Sequence, residues 1–268
     1  RQALEMAGVQ PYPMTSDVVH IPRETVGGSA YWVGQNQSIP TSDQGFGDIV
    51  LRAKKLAARV ELANELLADA GPRVEQFVRN NIARSLALKE DEGYLRGNGS
   101  AYEPLGLTKT TGIGEISMGA SGDTINFDAL HDALLQVEKA SAKATCWIMH
   151  PRTKNTLRKI KDNEGRYIYT VTPSSKEPDT VIGLPVLLTT QIPVNLDSPD
   201  KAKHDCSYIL VGDFSRTIIG QRAGMELAAS KEAGTAFEKD QTWIRAIMRV
   251  DFGLANPQAF CKITAVRP

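Results

Sequence analysis

The chain has 268 residues, 41% of them hydrophobic, enough to bury a substantial core. Lys plus Arg and Asp plus Glu both total 31, for a formal net charge of +0, so no strong overall field draws in nucleic acid and sequence-specific reading of DNA is not expected. Cys146, Cys206 and Cys261 are odd in number, far apart and in no CxxC pair, which predicts buried free thiols instead of a disulfide framework or a zinc site.

No apolar run approaches the roughly 20 residues of a membrane-spanning helix. The opening RQALEMAGVQPYP lacks the basic-then-apolar order of a signal peptide, so a soluble chain with no membrane partner is expected. A start at Arg1 instead of Met leads to the expectation that an N-terminal piece has been lost by processing or trimming.

Residues 1 to about 30 carry Pro11, Pro13, Pro22, Gly27 and Gly28, a spacing that breaks helices and predicts an extended arm. The stretch SAYWVGQNQSIPTSDQGFGDIVLRAKKLAARVEL follows, with two β-rich runs around a Gly, Ser, Pro and Asp middle. It predicts a long hairpin. From Pro72 to Leu95, Val74, Phe77, Val78, Ile82 and Leu86 recur at helical spacing behind a proline suited to a first turn, which predicts one long helix. It should end at RGNGSAYEPLGL, where Gly97, Asn98 and Gly99 turn the chain and Pro104 forbids continuation, and a loop region is expected through Gly122.

Asp123 or Thr124 is the expected cap of a second helix with Phe127, Leu130, Leu134, Leu135 and Val137 on its apolar face. CWIM reads as a buried strand, and Pro151 opens a shorter helix, PRTKNTLRKIKD. TPSSKEPDT is the expected flexible loop. Short strands are predicted in VIGLPVLLTT, SYILVGDF, RTIIGQR, MELAAS, QTWIRAIMRVDFGL and AFCKITAV, giving an α+β fold with helices early and strands late.

No pattern carries catalytic, cofactor or metal chemistry. The glycine-rich RGNGSAYEPLGL has no GK[ST] and leaves a helix instead of entering one, so it reads as loop punctuation. His20, His131, His150 and His204 lie in different segments without HxxxH spacing, and there is no GxSxG elbow. Glu61, Glu65 and Asp69, and Glu90 to Glu92, read as solvated faces.

Read in order, several segments resemble the HK97-type capsid family of tailed bacteriophages, over nearly the whole chain. Trp32-Val33, Pro40 to Asp43, Phe46 and Glu65 to Asp69 are similar to its E-loop and the strand leaving it. Gly97, Gly99, Pro104, Gly106 and Leu107 resemble the exit of its spine helix. Trp147, Met149, Pro151, Gly165, Arg166 and Tyr167 resemble an axial-domain segment, and Gly212 to Phe214 with Arg245, Ala246 and Arg249 resemble late strands.

The resemblance implies an HK97-type α+β fold divided into an N-terminal arm (1–28), an E-loop hairpin (29–60), a peripheral domain (61–122) with its spine helix (72–95), an axial domain (123–238) and peripheral strands (239–268). It implies a structural major capsid protein with no cofactor, assembling with itself into hexamers and pentamers around non-specifically held double-stranded DNA. Scaffold or protease, portal and decoration proteins are the further partners it implies, with assembly in the host cytoplasm. Arg1 fits removal of a scaffold segment by a phage protease. Trp32, Phe46, Arg52, Lys54, Lys55, Arg166 and Tyr167 are the candidate subunit contacts.

Some members form Lys–Asn isopeptide cross-links. Here the Asn position is Asp240 and the promoting Glu position, near Ile247 or Met248, is apolar, so no cross-linking is expected. An encapsulin-like compartment shell is the alternative within the same fold, and a cytosolic α+β enzyme using residues 97–107 is the alternative outside it.

Overall fold

The computed structural model describes residues 7–26, 30–38, 40–41, 45–70, 72–169 and 179–268. The expected loop at 172–180 therefore lies almost wholly outside the described residues.

The long helix forms as the spacing predicts, over Pro72–Arg96 (α2), preceded by a short helix, Asn64–Ala70 (α1). Ile82, Leu86, Tyr94 and Leu95 are buried and Val78 is half-buried, but Phe77 points to solvent. The second long helix, Phe127–Lys139 (α3), is capped by neither Asp123 nor Thr124, which form the short strand β6. Asn126 is the cap, its side chain accepting the Ala129 N–H at 2.8 Å. Leu130, Ala133 and Val137 are buried on α3, whereas Leu135 faces out. Helix α4 is shorter than expected, Pro151–Arg158.

A four-stranded sheet has the order β1-β11-β12-β4, from Gln10–Pro13, Thr217–Ser230, Gln241–Leu254 and Lys54–Ala63. The two runs RTIIGQR and MELAAS are thus one strand, β11, with register shifts around Ala223. The inner face of this sheet packs toward α2 through Ile244, Ala246 and Met248. A seven-stranded sheet has the order β5-β13-β10-β7-β9-β8, from Gly114–Ser117, Phe260–Arg267, Ser207–Gly212, Cys146–Met149, Leu184–Leu188 and Thr180–Val181, with β6 (Asp123–Thr124) also on β13. All residues of β7 and β10 are buried, as central strands require.

Sheet membership cuts across the divisions expected from the sequence. β11, inside 123–238, pairs with β12, while β13, inside 239–268, pairs with β10 and β5. The cause is a pair of single-turn corners. At Phe214–Arg216 the Asp213 carboxylate accepts the Ser215 N–H (3.2 Å) and the Arg216 Nε–H (3.0 Å), turning the chain from β10 into β11. At Pro257–Ala259 the Asn256 side chain accepts the Gln258 N–H (3.1 Å), turning it from β12 into β13. One hydrophobic core, including Tyr94, Leu130, Trp147, Phe252 and Phe260, runs through both sheets.

The hairpin is real but its arms differ from the expected ones. Val18–Val26 (β2), read as part of the arm, pairs antiparallel with Gly45–Arg52 (β3), and β4 belongs to the four-stranded sheet. Pro22 obscured β2 in the sequence, yet a two-stranded ribbon has open edges on both sides, where a proline costs little. Among the described residues, 30–38 holds no strand, although AYWV has strong β character. The hairpin root is wedged into the four-stranded sheet: Ile49 and Leu51 pack where Gly253 and Gly220 leave room, since a Cβ on Gly253 would meet Ile49 Cγ2 at 2.7 Å and Leu51 Cδ2 at 2.9 Å.

Candidate assembly surfaces

The described residues offer little for catalysis. No group of three or more His, Cys, Asp or Glu is placed to hold a metal among them. All three cysteines are free and buried, and burial pushes the Cys146 thiol up to about 12 and that of Cys261 to about 11, which keeps both in the inert thiol form. The glycine-rich loop is structural. Gly99 N–H donates to Pro104 O and Gly106 N–H to Gly97 O, each at 3.0 Å, and the backbones approach so closely that a Cβ on Gly97 would meet Pro104 O at 2.2 Å. His150 is the N-cap of α4, and His20 and His204 sit in exposed pairs with Asp48 and Asp197. No described helix is long and apolar enough to cross a membrane.

What the surface does present is an aromatic projection. Trp32, in the connection between β2 and β3, is fully exposed, and Phe46, on β3, is 71% exposed, on a ribbon with little core of its own. Tyr31 and Val33 are exposed beside Trp32. Solvent-facing aromatic side chains gathered on one projecting segment are the composition of an interface.

The three basic candidates diverge. Lys54 is committed within the subunit, its Nζ donating to the Ser100 carbonyl and, at 2.9 Å, to that of Glu103. Arg52 has an exposed side chain while its backbone N–H donates to the buried Asp251 carboxylate at 2.6 Å. Lys55 is exposed on the outer face of β4, directly across from Arg249 on β12.

Two repeats of the strand pattern further on, Arg59 stands across from Arg245. Two like-charged cross-strand pairs thus share one open sheet face, a mildly destabilising arrangement in an isolated subunit. It is relieved only in part: Arg59 contacts Glu61 at 3.0 Å and stacks 4.3 Å over Trp243, and Arg249 and Arg222 approach Asp17 at 3.6 and 3.5 Å. Sequence reading missed Arg59 and the pairing itself. The period-2 alternation of QTWIRAIMRV puts Arg245, Ile247 and Arg249 on one face, but their register against β4 is a long-range fact.

Arg166 and Tyr167 lie elsewhere, in the turn after α4. Asp162 organises that turn, accepting the Arg166 backbone N–H at 2.9 Å and its Nε–H at 3.0 Å, and those bonds hold its carboxyl below the usual range. Tyr167 is 54% exposed with Lys161 Nζ 4.8 Å from its ring centre. Asp240 occupies a third place, with φ +47, where its carbonyl accepts the Asn64 N–H at 3.0 Å and its carboxylate the Asn64 side-chain amide.

The family model of the phage capsid family matches residues 4–265. The chain belongs to that family. Within it, the chain is 27% identical to the major capsid protein of Klebsiella oxytoca phage phiKO2, over 99% of this chain and 64% of the relative, and 26% identical to that of Enterobacteria phage HK97, over 91% and 60%. It therefore spans somewhat under two thirds of the length of these two curated relatives. The fold is shared with solved structures. The capsid of a native GTA particle superposes with a TM-score of 0.78 at 20% identity, over 98% of this chain and 90% of the other. A chain from Mycobacterium phage Adephagia superposes at 0.74 and 18%, over 99% and 90%. The HK97-type α+β architecture implied by the family's sequence segments is thereby shown.

Proposed function

We propose that copies of this chain tile a closed icosahedral shell, as hexamers and pentamers, around the double-stranded DNA of a tailed phage. The observation that carries this reading is the ribbon of β2 and β3, with Phe46 on β3 and Trp32 in the connection between the two strands standing in solvent, while the ribbon's root packs into the four-stranded sheet through Ile49 and Leu51. An arm held rigid at its base and apolar at its far end gains most by lying across a second copy, and rotational repetition of such contacts closes rings. Neutral net charge suits a wall that confines DNA without gripping it.

In this reading the seven-stranded sheet with α3 and α4 forms the axial lobe and the four-stranded sheet with α2 the peripheral lobe. Arg166 and Tyr167 face ring neighbours, and Lys55 with Arg52 faces an adjoining subunit. Asp240 forms no isopeptide bond, because a carboxylate is not the amide electrophile, its side chain accepts the Asn64 amide, and the promoting Glu position, near Ile247 or Met248 in the sequence, is apolar. Scaffold or protease, portal and decoration proteins would meet the assembled shell in the host cytoplasm. Negative-stain microscopy of the purified protein tests the reading: closed particles or capsomer rings are expected, and a small compact species under every assembly condition would overturn it.

A further inference from the structure

Asn98 is followed by Gly99, and no other Asn-Gly pair occurs in the sequence. In such a pair the glycine nitrogen, with no Cβ beside it, can attack the Asn side-chain carbonyl carbon. A C–N bond closes a five-membered imide, and the Asn amide group leaves with the glycine N–H proton as ammonia. Water then opens the ring, to Asp if it enters at the side-chain carbonyl, or to isoaspartate, with a main chain one carbon longer, if it enters at the main-chain carbonyl. Asn98 and Gly99 are both exposed, so water reaches the pair.

The fold restrains the nucleophile. Gly99 N–H donates to Pro104 O at 3.0 Å, Asn98 forms a β-bridge with Leu105, and the Asn98 N–H donates to the Glu103 carboxylate at 3.3 Å. Gly99 holds φ +68, and a Cβ on it would meet Leu105 Cδ1 at 2.9 Å, so the turn is packed as well as bonded. The Gly99 nitrogen reaches the Asn98 side-chain carbon once the exit of α2 opens. The closed exit, in turn, has no room for the longer product. Asn98 lies between the Gly106-to-Gly97 and Gly99-to-Pro104 bonds, and an added main-chain carbon puts one of them out of register where the two backbones already touch at Gly97 and Gly106.

We propose that Asn98 is a deamidation site gated by the fold: it stays intact while the exit of α2 is closed, converts when that exit opens, and as isoaspartate prevents the exit from closing again. The loop thereby keeps a chemical record of its own opening, whether or not the chain assembles.

Peptide mapping by mass spectrometry tests this on the folded chain and the urea-unfolded chain, incubated side by side in mildly alkaline buffer. Conversion at Asn98 should be at least about tenfold faster in urea. Folded Lys54→Ala, which removes the tie from Lys54 to the Ser100 and Glu103 carbonyls, should convert about fivefold faster than the folded parent. When urea is removed from partly converted material, the refolded fraction should be depleted in isoaspartate at position 98 at least about tenfold relative to the fraction that stays unfolded. Asn98→Gln, which lacks the five-membered path, should show no conversion there. Equal rates in the folded and unfolded chains, a Lys54→Ala variant no faster than the parent, or isoaspartate at position 98 carried equally into the refolded fraction overturns the inference.

Discussion

The Asp251 carboxylate accepts the backbone N–H of Arg52 at 2.6 Å, joining the root of the projecting ribbon to the C-terminal part of β12. Asp251 is buried, and burial raises its pKa against the lowering effect of the Arg52 and Phe252 backbone N–H groups. The native state therefore binds the proton more tightly than the unfolded chain does. The stabilising contribution is present at acid pH and is lost as pH rises through the elevated value.

Asp251→Asn should keep the acceptor and remove the charge. Its stability relative to the parent should rise as pH increases through the elevated carboxyl range, and the two should converge in acid. Asp251→Ala leaves the Arg52 N–H unpaired and should cost about 1–3 kcal/mol in urea denaturation. An Asn variant as damaged as the Ala variant at neutral pH would remove the electrostatic part of this account.

His150 caps α4 by accepting the Arg152 N–H on Nδ1 at 3.0 Å. Burial, and next the Arg152 charge, depress its pKa, so the native state favours neutral imidazole. The stability this supplies is present above the unfolded histidine pKa and is lost as pH falls through the depressed value, because a protonated ring cannot accept the cap bond. His150→Asn should preserve the cap and flatten the pH dependence of the urea midpoint between about pH 8 and about pH 5. His150→Ala should cost about 1 kcal/mol at the upper end of that range. Equal pH slopes for parent and Asn variant would contradict the assignment.

How much of this was legible in the sequence depended on the range of the interactions involved. The α2 helix follows from local spacing, and the turn at Gly97 to Pro104 from local chemistry, so both were readable. The ribbon is legible but its first arm is not, because Pro22 interrupts β2 while AYWV reads as a strand and forms none among the described residues. Strand character mostly reports packing against neighbours, which a local pattern does not identify. The assignment of β11 and β13 to opposite sheets turned on two single-turn corners, set by Asp213 and Asn256, whose effect on topology no local pattern reveals. Likewise Lys55 was singled out, but its apposition to Arg249 depends on register.

Gly97 and Gly106 provide a steric test of the exit from α2. A Cβ on Gly97 would lie 2.2 Å from Pro104 O, and one on Gly106 would lie 2.3 Å from Gly97 N, contacts that only backbone movement can relieve. Gly97→Ala or Gly106→Ala should each destabilise by about 3 kcal/mol or more. Gly34→Ala, whose Cβ would meet nothing nearer than 3.6 Å, should leave the denaturation midpoint unchanged. Parent-like stability in either loop variant would mean that the two backbones do not approach as described.

Lys54 and Lys55 are adjacent in sequence and should behave oppositely. Lys54 ties β4 to the Ser100 and Glu103 carbonyls, so Lys54→Ala should cost the isolated subunit about 1 kcal/mol, a charge-assisted hydrogen bond discounted for partial exposure. Lys55 faces Arg249 across the sheet, so Lys55→Glu converts a repulsive pair into an attractive one and should stabilise the isolated subunit by about 0.2–1 kcal/mol. If the open face of β4 and β12 is held cationic for contact with another copy, the same substitution should raise the protein concentration at which particles form. Measuring urea midpoints of the unassembled variants alongside light scattering during assembly separates the two effects. A Lys55→Glu variant that is more stable and assembles at the parent's concentration would show that the paired cations face solvent in the particle and serve no contact there.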